Sequence, residues 1–187
     1  MIEVMSTPPA ALPSQREKRF FLTLAVIAGI IAALLPIGLI GFWAGIVPDD
    51  LWGRAVPGLP VGLELDLGKR AGAAILGLIP MGLLVWGLLR VRQTFIAFAA
   101  GEVFSASAIA GLRDFAIGVG ASALIQPLIG ALLSLYLTWD APAGGRRLVL
   151  QLGSDTALFV LFAATFLAAT WTMRRAAALA EENSQFV

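Results

Sequence analysis

The side chains best suited to chemistry are scarce in this chain of 187 residues. It has no histidine and no cysteine. That removes the imidazole base, the thiol nucleophile, thiolate or imidazole metal ligation, covalent haem attachment and any disulfide. Cysteine usage therefore carries no information about redox compartment. There is no Walker loop, no Gly-x-Ser-x-Gly elbow and no paired-carboxylate cluster, and Gly118-Val119-Gly120 follows no strand, so it is not a dinucleotide loop. No catalytic, cofactor-binding or metal site is expected, and the chain reads as a non-enzyme. One polar group stands out. Gln126 lies inside an apolar stretch, and Ser122, Ser134, Thr165 and Thr170 are the hydroxyls nearest to it in character. An amide there pairs with a neighbouring helix or with the carbonyl that Pro127 frees, or else it coordinates a transported solute. No acid, base or cation accompanies it, which favours packing.

The elements that carry these groups have an unusual composition. Hydrophobic types make up 59% of the chain and charged types 13%, against roughly 25% charged in a soluble domain. A water-exposed surface cannot be covered with so few charges, so a membrane protein is expected. The formal charge of +1 gives no bulk basicity for nucleic acid. Four stretches hold no charged residue: 20–47, 71–89, 115–137 and 156–173. Each is near or above the ~20 residues that carry a helix across ~30 Å of hydrocarbon, and Pro36, Pro80 and Pro127 mark places to bend. The fold class predicted is an all-α membrane protein with four transmembrane helices in two tandem hairpins, forming one domain over 14–187. Ser14 and Glu17 make a capping-box pattern at its start, and residues 1–13 are expected to be a disordered tail. A signal peptide is the rival reading of this end, but the apolar run is too long and lacks a small-x-small cleavage site.

Orientation follows from basic residues. Arg16, Lys18, Arg19, Arg90, Arg92, Arg113, Arg174 and Arg175 fall on one side, against Arg54, Lys69, Arg70, Arg146 and Arg147 on the other. The bias puts both termini in the cytoplasm. Trp43, Trp139, Trp86 and Trp171 fall at span ends, as interfacial indoles do.

A shift of 85 residues lays Leu63, Leu65, Leu67 and Gly68 on Leu148, Leu150, Leu152 and Gly153, and Trp86 on Trp171. Either the hairpins are a tandem repeat or shared interface chemistry places these residues alike. The two aligned segments alternate apolar and polar, which predicts a small two-stranded β-cap on the outer face. The competing picture is an amphipathic turn on the lipid surface. On the opposite side, Arg90 to Asp114 is too apolar for a plain loop. It predicts an extended helical hairpin with its tip at residues 100–104, broken by Gly101, and a second helix capped by Ser105 or Ser107.

At that tip, Phe98-Ala99-Ala100-Gly101-Glu102-Val103-Phe104-Ser105 is similar to the Gly-x-x-Phe-Ser element of the bacterial domain-of-unknown-function family 2975. The ending from Leu179 through Glu181-Glu182 to Phe186-Val187 resembles that family's ending. The proline-rich N-tail and Gln185 depart from its pattern. The resemblance implies a non-enzymatic, four-helix protein of the bacterial inner membrane, in a family whose members often accompany small helix-turn-helix regulators. The expected role is an interaction, sensor or accessory subunit. Its partner contacts would be Gly101, Glu102 and Phe104 at the tip and Glu181, Glu182, Phe186 and Val187 in the C-tail, with Gln126 as the intramembrane polar contact. Expected partners are the lipid bilayer, a cytoplasmic protein and further copies of the chain, with no nucleic acid. The alternative is a small-solute or lipid transporter, oligomeric around the proline-broken helices.

Overall fold

The computed structural model describes residues 13–46, 65–141 and 145–184. These form four long helices: α1 (Gln15–Gly41), α2 (Leu67–Ala99), α3 (Ala106–Leu137) and α4 (Ser154–Ser184). All four are long and apolar enough to cross a membrane. α2, α3 and α4 overrun the apolar stretches read from sequence, because the Lys, Arg and Glu residues towards their ends are good helix formers, while α1 starts earlier than its stretch and ends at Gly41, short of residue 47. Residues 1–12 of the predicted tail lie outside the described residues.

Each start has a local cause. Ser14 caps α1 by accepting from the Glu17 N–H at 3.3 Å while Glu17 accepts from the Ser14 N–H at 2.7 Å. Those hydrogen bonds hold the exposed Glu17 carboxyl below its ordinary range. Asp66 caps α2 through the Lys69 N–H at 2.8 Å, and Ser105 caps α3 through the Ala108 N–H at 3.2 Å. Beyond Gly41, α1 widens into a π turn (Phe42–Ile46) that contains Gly45 at φ 85°.

Successive helices pack antiparallel. Phe21 of α1 meets Phe98 of α2 edge-on at 5.4 Å, and Gly29 of α1 faces Arg92. The central pair, α2 and α3, is the most intimate. A Cβ on Gly118 would lie 2.6 Å from the Leu83 carbonyl oxygen and 3.0 Å from the Gly87 Cα. Further along, Gly111 leaves room for Thr94, whose hydroxyl donates to the Ala108 carbonyl at 3.0 Å. In lipid, close backbone approach of this kind drives helix association. Phe115 of α3 meets Phe162 and Phe166 of α4 at 6.4 and 5.9 Å. Among the described residues α1 and α4 form no packed interface, so the assembly is open along one side.

The fourth helix is displaced along the third. Gly120 faces Ala163, and Asp155 shares a cavity with Gln126. Ser154 is therefore the first residue of α4 at about the level of Pro127, and α3 runs on past it for roughly 15 Å at 1.5 Å per residue. At that far end Trp43, Leu65, Ala73 and Leu137 make a small buried core. Trp43 is thus a core residue, unlike the exposed Trp86, Trp139 and Trp171.

The predicted β-cap is not formed among the described residues, all of whose regular elements are helical. Residues 148–152 are irregular. The N–H groups of Arg147 and Val149 donate to the Thr138 and Ser134 hydroxyls, both at 3.0 Å, so side chains of α3 and its C-cap take donors that a ladder needs. Leu148, Leu150 and Leu152 stay exposed. Val61–Glu64, most of the other predicted strand, lies outside the described residues.

Candidate functional site

The α2–α3 connection is a tight turn whose sequence is dictated by geometry. Gly101 sits at φ 88°. Its N–H donates to the Phe98 carbonyl at 3.0 Å, and the Glu102 N–H donates to the Ala97 carbonyl at 2.9 Å. Those two bonds are a Schellman ending, in which the left-handed residue is normally glycine. Ser105 then opens α3. Of the predicted tip contacts, Gly101 is therefore needed by the backbone, while the side chains of Glu102 and Phe104 are exposed. Gly101→Ala should cost about 1 kcal/mol through the left-handed strain, and Ser105→Ala about 1 kcal/mol through the lost cap. Thermal unfolding of the purified variants measures both, and wild-type melting in either would remove the turn from the stability of the fold.

Behind the tip lies a charge cluster. Asp114 of α3 is 5% exposed. The Arg90 guanidinium donates to its Oδ2 through Nε at 2.8 Å and is ion-paired to the same oxygen through Nη2 at 2.7 Å. Arg113 donates to its Oδ1 through Nε at 3.0 Å and Nη2 at 2.7 Å. Arg90 Nη1 also donates to Gln93 Oε1 at 3.1 Å. Two guanidiniums on one carboxylate leave a local excess of positive charge. Sequence reading treated these residues as flanks of a connection and missed Asp114. The available signal was that it is the only carboxylate between Glu102 and Asp140.

The antiparallel order brings the tip to the same end as the C-terminal half of α4. Between them is a cleft of about 470 Å³, with Phe104, Ile109 and Arg113 on one wall and Arg174, Ala177 and Ala178 on the other. The predicted C-tail is only partly placed. Glu181 and Glu182 belong to the last turn of α4, with Glu182 exposed, while Phe186 and Val187 lie outside the described residues.

Gln126 is remote from this end. It lies on α3 and lines two hollows of about 350 and 530 Å³ that share Leu84 and Ser122 in their walls, and no described residue hydrogen-bonds its side chain.

Among the described residues, fold and site together define an all-helical structure with four potential membrane spans and a basic cleft at one end. Compared with known protein families, with curated proteins and with solved structures, the chain matches none.

Proposed function

We propose that this chain is a multi-pass protein of a bacterial inner membrane, arranged as two helical hairpins with both termini cytoplasmic. It acts without catalysis, as an accessory or sensor subunit that engages a protein partner through its cytoplasmic end. The observation that carries this reading is the convergence of the hairpin tip and the α4 extension on one cleft. Phe104 is exposed at that cleft, and Arg113 and Arg174 face it. An exposed aromatic side chain beside excess positive charge suits a partner segment that is both apolar and acidic. The basic asymmetry across the spans supports the orientation, and the resemblance to family 2975 fits the same picture.

The test uses the absence of native cysteine. Cysteines placed at Ser6 and Ser184 should resist a membrane-impermeant thiol reagent added from the periplasm, and labelling of either would reverse the topology. Partner docking is tested by co-purification from the native membrane in gentle detergent. Phe104→Ala with Arg174→Glu should lower recovery of a defined partner at least fivefold while the protein level holds. Deleting 181–187 should weaken recovery or open the tip to protease. Unchanged recovery in both would sink the reading.

A further inference from the structure

Within the helices, hydroxyls are mostly satisfied locally. Thr23, Ser134, Thr165, Thr170 and Thr172 each donate to a carbonyl one turn earlier, at 2.7 to 3.1 Å. Ser122, Gln126 and Thr156 make no side-chain hydrogen bond with any described residue, and all three line the same groove. A fourth polar group joins them. Pro127 has no N–H to return to the Ala123 carbonyl, and Ala123 lines the groove too. Pro36 and Pro80 free the Ala32 and Leu76 carbonyls in the same way, but the hydroxyl and amide side chains of the apolar stretches that have no described partner are gathered in this one groove.

The groove has the form of a ligand site. Its floor is α2 and α3, its walls are α1 and α4, and its volume is about 530 Å³. That lies within the ~300–1,000 Å³ typical of small-molecule pockets, which combine apolar walls with a few convergent polar groups. A helix with its side chains is about 10–12 Å across, too wide to enter such a space whole. Phe115, Phe159 and Phe162 supply aromatic wall. Among the described residues lining it, Asp155 is the one charged side chain and none is a cation. A phosphate or carboxylate headgroup would meet like charge and no counterion.

We infer that this groove binds an uncharged lipid, a long hydrocarbon body bearing hydroxyl and carbonyl groups that pair with Gln126, Ser122, Thr156 and the Ala123 carbonyl. The inference rests on the membrane reading above and is independent of the cytoplasmic cleft.

The test uses full-length protein in nanodiscs of zwitterionic phosphatidylcholine, with a monoacylglycerol carrying a photoactivatable diazirine in its chain. Labels should concentrate on the peptides from Phe115 to Gln126 and from Asp155 to Phe162. The double change Ser122→Ala with Gln126→Leu should lower that labelling at least fivefold. Ala123→Phe should do the same, because it fills the groove and leaves the amide in place. A photoactivatable phosphatidylglycerol should show no such concentration. Equal labelling of native protein and both variants would overturn the site, as would concentration of the anionic probe. Cysteine at Ile31 or Phe159 cross-linking two copies would give the groove to a second copy. Labels confined to outward positions such as Ile30 and Leu34 would overturn the groove and leave the membrane reading standing. No labelling anywhere would defeat both.

Discussion

Asp114→Ala should lower stability by about 3 kcal/mol, the low end of what is expected when one member of a buried ion pair is removed. The loss arises from what stays behind. Arg90 and Arg113 both donate to this carboxylate, whose side chain is 7% exposed, and without it two guanidiniums face each other. The value sits at the low end because the arginines are 36% and 44% exposed and can swing partly into solvent. Thermal unfolding in detergent should show a clear fall in midpoint. Combining Asp114→Leu with Arg90→Leu should be less damaging than the sum of the two single changes, since the pair couples. A single variant that melts like the wild type would mean that the cluster contributes nothing to the fold.

Gly118→Val is expected to cost about 3 kcal/mol or more, above the usual range for overpacking. The added carbon would meet backbone: the Leu83 carbonyl oxygen at 2.6 Å and the Gly87 Cα at 3.0 Å. Backbone cannot rotate away as a side chain can, so α2 and α3 would have to separate and carry the Thr94–Ala108 hydrogen bond with them. Gly82→Ala is the matched control. Nothing lies within 4 Å of its Cβ, and replacing a helix glycine should leave stability unchanged or raise it by up to about 1 kcal/mol. Midpoints that move alike in the two variants would show that the close crossing does not hold the helices together.

Helices were the most legible part of the sequence, for a physical reason. An uninterrupted apolar run of that length has few other ways to satisfy its backbone. The tip was legible as well, because a left-handed glycine followed by a capping serine is a local signal. The same geometry accounts for the Gly101 and Ser105 positions of the motif that suggested a family. The strands at Leu148–Leu152 misled because alternation reports which faces differ, not what the N–H groups will bond. The Ser134 and Thr138 hydroxyls lie more than a turn of chain away and leave no mark in that pattern. Asp114 was hidden by the assumption that charge marks the end of a span. In the fold Arg92 lies against Gly29, well inside the apolar stretch of α1. Helix displacement is a tertiary property, and no single helix sequence encodes it. The chemical character of Gln126 was legible, but that no described residue pairs with it depends on α1 and α4 standing apart.

The late start of α4 bears on the thickness of any bilayer around the molecule. In the membrane placement proposed above, α2 and α3 present a tall apolar flank, while α4 presents a shorter one whose upper edge is lower by roughly 15 Å at 1.5 Å per residue. Hydrocarbon cannot match both heights at once, and each ångström of mismatch costs a fraction of a kcal/mol. The surrounding leaflet must thin beside α4, or the whole body must lean toward it. Lengthening the lipid chains would load one flank more than the other, so the molecule would answer a thicker membrane by rotating rather than by stretching.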